Sequence, residues 1–167
     1  ALPSLLSVGG TLGIYDGNPG LLSFELPKLV SVTGTIYIYE NHSLQAVDLS
    51  ALDVVNGTIV VTNNLVLPTF ALPSVTTIGL IPDDGALGGN LYVTGNDKLI
   101  DFQVPLLQEV GDFLEINSNE LLTAFEIPSV HTVWKGLRIL NNPVLTSWDF
   151  SALTFIGSNF RFEYNGS

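Results

Sequence analysis

The chain has 167 residues, 46% of them hydrophobic, enough for one domain with a substantial core. Its 16 acids against 5 Lys and Arg give a net charge of −11, which excludes a phosphate-gripping nucleic-acid surface and disfavours an anionic membrane. With no cysteine, disulfides, thiolate catalysis and cysteine-ligated zinc are excluded together. No apolar run reaches the ~18 residues of a membrane helix, and no secretory-signal pattern opens the chain, so a mature or excised segment is expected.

Taken in order, the sequence repeats itself. Units begin at Ala1, Glu25, Asp48, Ala71, Gln103, Glu126 and Asp149, mostly 23 residues apart. The second residue of each unit is Leu2, Leu26, Leu49, Leu72, Val104, Ile127 or Phe150. The fifth is Leu5, Leu29, Leu52, Val75, Leu107, Val130 or Leu153, and the eighth is Val8, Val32, Val55, Ile78, Val110, Val133 or Ile156. Pairs two apart follow: Leu12/Ile14, Ile36/Ile38, Ile59/Val61, Leu91/Val93, Leu114/Ile116, Leu137/Ile139 and Phe160/Phe162. That spacing is strand periodicity with one buried face.

A leucine column and then Phe24, Val47, Phe70, Phe102, Phe125 or Trp148 close each complete unit. The closing aromatic and the next unit's second residue, as in Phe24-Glu25-Leu26, predict a second short strand, followed directly by Pro3, Pro27, Pro73, Pro105 or Pro128 in five of the units. No unit carries an amphipathic-helix pattern, and the Leu-x-x-Val steps allow single turns only. Units this short bury their apolar side only by stacking. The expected fold is all-β: a right-handed parallel β-helix of about seven coils, with a leucine-rich-repeat-like solenoid as the near alternative. Unit four carries an insertion at about residues 79–88, read as a loop leaving the wall, whose Asp83-Asp84-Gly85 is a plain turn or else a metal or partner contact.

One polar column runs through every unit: Asn18, Asn41, Asn64, Asn96, Asn119, Asn142 and Asn165. Stacked asparagines can bond one another and the backbone groups that a tight corner orphans, so an internal ladder is expected.

The consensus x-L-P-x-L-x-x-V-x-G-x-L-x-I-x-x-N-x-x-L-x-x-F, carried by Leu2-Pro3-Ser4-Leu5, Ser7 to Leu12 and Asn18 to Phe24, resembles the receptor L-domain type of repeat. It is most similar to fungal GPI-anchored cell-wall glycoproteins, and more distantly to the L domains of insulin and epidermal growth factor receptors. The resemblance implies a secreted, glycosylated, non-enzymatic protein of a cell surface or wall. The chain departs from it in lacking cysteine-bearing caps, a Ser/Thr-rich stalk and a hydrophobic anchor tail.

Three sequons occur, at Asn41, Asn56 and Asn165. Asn56 lies outside the ladder on a Gly-bearing turn and is the preferred glycan site. Asn41 is expected to be mostly buried, and Asn165, a ladder position at the open end, stays a candidate glycan site. The outward strand positions Tyr15, Tyr37, Tyr39 and Tyr92 offer a binding face for a carbohydrate or protein, against a plain reading as β-formers on a solvated wall. The threonines between them are too irregular for an ice-binding array. Glu25/Asp48 and Glu126/Asp149 are expected to stack on adjacent coils as a screened acidic stripe. His42 and His131 fall at unrelated repeat positions, and no nucleophile or phosphate motif accompanies them.

The terminal units read as good repeats without polar caps, so either flanking sequence is missing or Thr11, Gly13 and Tyr15 at one end and Phe160, Phe162 and Tyr164 at the other meet in head-to-tail stacking. The expected function is a glycosylated extracellular scaffold, self-assembling into filaments; the alternative is a receptor-like binding module. Expected partners are further copies of the chain or cell-wall and surface glycans and proteins. No nucleic acid, membrane insertion, cofactor or metal is expected.

Overall fold

The computed structural model describes residues 2–15, 17–79 and 88–166. Among them every element is a strand, and each strand pairs in parallel with its equivalent one repeat away. The molecule is a β-solenoid whose coils pass through three walls.

The local chemistry of one repeat explains the path. The Leu-Pro-x-Leu phrase is a tight turn: the Leu29 N–H donates to the Leu26 carbonyl at 3.1 Å, and the same bond recurs down to Leu153 and Phe150 at 3.0 Å. Proline suits the second place of such a turn because its ring fixes φ at the required value. A two-residue strand follows, the first being Ser7–Val8 and the last Phe155–Ile156. After a bend come the longer strands of the second wall, from Leu12–Ile14 through Ile36–Tyr39 and Ile59–Thr62 to Phe160–Glu163. The Asn-x-x-Leu phrase then turns again, with the Leu44 N–H donating to the Asn41 carbonyl at 3.1 Å. Each later ladder asparagine up to Asn142 repeats that turn, so the constant three-residue step from asparagine to leucine is the step of a hydrogen-bonded turn.

The first and second walls are continuous seven-stranded sheets, so six full turns separate their end strands. The third wall is interrupted. Ser23–Glu25 pairs only with Ala46–Asp48, and a separate four-stranded sheet runs from Thr69–Ala71 to Ser147–Asp149. Pro68 accounts for the break. Its equivalents donate to the coil before: Gln45 N–H to the Leu22 carbonyl at 2.8 Å, Ile100 N–H to the Pro68 carbonyl at 2.9 Å. A proline at that place has no N–H to give. The strand itself is placed one residue earlier than expected, at Ser23–Glu25 rather than Phe24 to Leu26, because Leu26 already belongs to the turn.

Register keeps like on like. Leu12 pairs with Ile36, Ile36 with Ile59, and Glu126 with Asp149. The inward columns form one core in which Leu29, Ile36, Val61, Leu99 and Phe125 have no exposure. Phe70 and Phe102 stack inside it at 5.9 Å with rings 4° apart. Each such side chain contributes about 1.5–3 kcal/mol of burial, and only stacking supplies it.

The insertion leaves at the bend between the first and second walls. Gly79 and Gly88 close it with an N–H···O bond of 3.2 Å, and Leu80 to Leu87, including Asp83-Asp84-Gly85, lie outside the described residues.

That same bend packs backbone on backbone. A Cβ on Gly57 would stand 2.6 Å from the Gly34 carbonyl oxygen and 2.9 Å from the Thr35 nitrogen, neither of which is a side chain that can swing away. Gly57→Ala, which preserves the sequon, should therefore destabilise the fold by about 1–3 kcal/mol in urea unfolding. Gly20→Ala, with nothing within 4 Å of its Cβ, should leave the midpoint close to that of the parent chain. Equal midpoints for both variants would refute the close-packed bend.

Candidate functional site: the asparagine ladder and the tyrosine wall

The ladder stands at the corner after the second wall. Asn41, Asn64, Asn96, Asn119 and Asn142 have 0% exposure. In a representative rung, the Asn64 backbone N–H donates to Asn96 Oδ1 at 3.0 Å. Its Nδ2 donates to the Ile38 carbonyl of the coil before at 2.8 Å and to the Thr62 carbonyl of its own coil at 3.2 Å. A longer Nδ2···Oδ1 approach of 3.3 Å links the two side chains. The pattern continues through Asn119 to Asn142 and ends with Asn142 N–H on Asn165 Oδ1 at 3.1 Å. Only a primary amide presents two donors and an acceptor in this space, so a buried carboxylate or aliphatic residue cannot replace it. Asn18 is exposed and Asn165 half-buried, as expected for the rungs in the first and last coils.

The residue before each ladder asparagine was not legible as a column. Glu40, Asn63, Ser118, Asn141 and Tyr164 have φ of 57°, 55°, 56°, 52° and 55°, while Gly17 and Gly95 have 65° and 64°. All seven are left-handed. The extra residue resets strand alternation: Tyr39 and Glu40 both face outward, and Asn41 then turns in. Two glycines and two asparagines in that column were the available signal, since both types favour this region.

The sequons separate physically. Asn41 is fully buried with Nδ2 bonded to the Ile14 carbonyl at 2.8 Å and the Tyr39 carbonyl at 3.0 Å. Asn165 Nδ2 donates to the Ile139 carbonyl at 2.7 Å. A sugar on Asn41 Nδ2, which donates to two carbonyls, would remove a ladder donor, whereas Asn165 Nδ2 donates to one. Asn56 stands apart from the ladder at the glycine bend, half-buried, its backbone N–H on the Val32 carbonyl at 3.1 Å.

On the outer face of the second wall, three of the four tyrosines meet. Tyr15 and Tyr39 stack at 5.2 Å with rings 4° apart, and Tyr37 stands edge-on to both at 6.4 and 6.1 Å. The Tyr15 ring lies across Gly13, where a Cβ would collide with it. Tyr92 does not join them, because Val60 lies between Tyr37 and Tyr92 in the register. It sits instead at the start of a charged half. Burial, then the Glu115 and Asp112 carboxylates, push its phenol above the usual value. There Lys135 pairs with Asp112 at 2.9 Å and Arg138 with Glu115 at 3.3 Å, and the Arg138 guanidinium lies 4.4 Å from the Phe113 ring centre. Opposite charges one repeat apart carried that signal in the sequence. The pairs are partly exposed and contribute at most about 1 kcal/mol each.

Other candidate residues are dispersed. Glu25/Asp48 and Glu126/Asp149 are register partners, and Asp48 and Asp149 each cap the N–H two residues on, at 3.0 and 2.7 Å. His42 is exposed beside the ladder, whereas His131 lies at the first wall with Nδ1 3.0 Å from Thr132 Oγ1. Of the end-contact residues, Thr11 and Gly13 are exposed in the first coil, and Phe160, Phe162 and Tyr164 are exposed in the seventh. Tyr15 is turned sideways into the tyrosine cluster. No family model, curated protein or solved structure matches the chain.

Removing a central rung should be far worse than removing an end one. Asn96→Ala strips the acceptor from the Asn64 N–H and the donor from the Val61 carbonyl, and should cost about 3–5 kcal/mol in chemical denaturation. Asn18→Ala, at an exposed rung, should cost about 1 kcal/mol or less. Comparable losses at both positions would contradict the ladder as the stabilising element.

Proposed function

We propose that the chain is a non-enzymatic structural scaffold of a cell surface or wall, outside the cell, glycosylated at Asn56. The observation that carries this reading is the unbroken run of five wholly buried asparagine rungs. They lock successive coils in register. The resemblance to receptor L-domain repeats and fungal wall glycoproteins supports the extracellular setting. So does a surface with only 13% charged residues in the chain, where attached sugar would supply solubility. Asn56 is the sequon that lies outside the ladder altogether.

End-to-end stacking belongs to the same proposal. The second-wall strands Leu12–Ile14 and Phe160–Glu163 lie at opposite edges of the sheet, and among the described residues each leaves a row of backbone groups without a strand partner. A second copy placed one coil further on would continue the same parallel register, a contact that does not close and so builds filaments.

Native material tests both parts. Glycosidase treatment should lower the mass of the peptide carrying Asn56 and leave those carrying Asn41 and Asn165 unchanged, and electron micrographs should show rods longer than one chain. An unmodified Asn56 in material from a cell surface would remove the glycan, and a monodisperse monomer at high concentration would remove the filament.

A further inference from the structure

The outer face of the second wall divides into two halves of different chemistry. From the fifth coil onward its outward positions carry Glu115, Arg138, Arg161 and Glu163, the last two in a two-point ion pair of 2.8 Å. In the first four coils the outward strand positions carry no acid or base, in a chain of net charge −11. Tyrosine, threonine, valine and glycine fill them. Tyr15 and Tyr37 are 44% and 36% exposed, large for aromatic side chains already packed against neighbours. Tyr39 supports both rings, and the Thr62 and Thr94 hydroxyls, bonded to each other at 3.0 Å, continue the column beside it.

We infer that the cluster of Tyr15, Tyr37 and Tyr39 is a binding platform for a neutral polysaccharide of the β-glucan or chitin type. A pyranose ring with equatorial substituents has a flat C–H face and a rim of hydroxyls. Tyrosine matches both parts, with rigid ring area for the face and a polar tip for the rim, at low conformational cost. The mutual packing of the three rings fixes their positions before any ligand arrives, and the glycine beneath Tyr15 is what lets that ring lie across the wall. Charge selects the ligand class. An anionic polysaccharide is repelled by the chain as a whole, and a cationic one is drawn to the acidic positions elsewhere, leaving a neutral chain as the partner for a half-wall whose strand positions carry no charge. Glu40, exposed directly after Tyr39, places a hydroxyl acceptor at the edge of the platform.

This inference adds a partner to the scaffold reading, and the two fail separately, since a chain that binds no polysaccharide can still be a glycosylated wall rod. The full chain is sedimented with insoluble β-1,3-glucan and chitin particles and with polygalacturonate gel as the anionic comparison. Retention on at least one neutral polymer above the anionic background is expected, with Tyr37→Ala/Tyr39→Ala weakening it by about tenfold or more, the loss of one binding anchor. Proton NMR of the unaltered chain, titrated with laminarihexaose and chitohexaose, keeps the test independent of how the variant folds. The Tyr15 and Tyr37 ring signals should shift with one of the two sugars. Equal retention on neutral and anionic polymers would overturn the inference. So would neutral retention with unmoved ring signals, or a dimer in sedimentation velocity that the double substitution dissolves.

Discussion

The rest of the structure depends on one rung: a buried asparagine whose amide accepts from the backbone of the coil before and donates to carbonyls of that coil and its own. A left-handed corner is the natural way to end a strand and enter a turn within a few residues. It also leaves N–H and C=O groups pointing where no strand can reach them. Asn64 and Asn96 show how completely the amide resolves this, with the Asn64 N–H, the Ile38 and Val61 carbonyls and both side chains satisfied at 2.8–3.3 Å. The left-handed conformation costs about 1–2 kcal/mol at residues such as Glu40, Ser118 and Tyr164, and the rung that follows offsets it.

The same rung dictates where the repeat can vary. Asn64 and Asn96 are 32 residues apart because of the insertion, against 23 for Asn96 and Asn119, yet their bonds are alike at 3.0 and 3.1 Å. The extra residues leave at the glycine bend, a corner without a ladder. The third wall tolerates a break at Pro68 for a related reason: its strands carry side-chain packing but not the corner, so losing pairing between two coils leaves the rungs on either side untouched.

Much of this was legible in the residues. Period, inward columns and ladder positions are all identities at fixed spacing, and parallel stacking converts spacing directly into contact. What stayed hidden was conformation and neighbourhood. The left-handed column holds Gly, Glu, Asn, Ser and Tyr, so no single residue type marks it; a φ angle became visible only in the folded backbone. The tyrosine face read as four residues because outward positions were counted along strands. Across strands, Val60 separates Tyr92 from Tyr37, and the neighbours of Tyr92 are Glu115 and Asp112 instead. The third-wall strand was expected one residue late because Leu26 serves both as a core residue and as the start of a turn.

A solenoid of this kind keeps its outer walls free of the burden of stability, which resides inside and at one corner. The tyrosine half and the charged half of the second wall share one backbone and one register while presenting different chemistry. With stability concentrated inside and at the ladder corner, the rungs should be the last elements to open. Native-state hydrogen exchange at increasing denaturant measures that directly, residue by residue. The backbone amides of Asn64, Asn96 and Asn119 should exchange only through global unfolding, with free energies equal to that of the whole chain. Exchange of those amides by local opening, at free energies below those of the second-wall strands, would contradict the account.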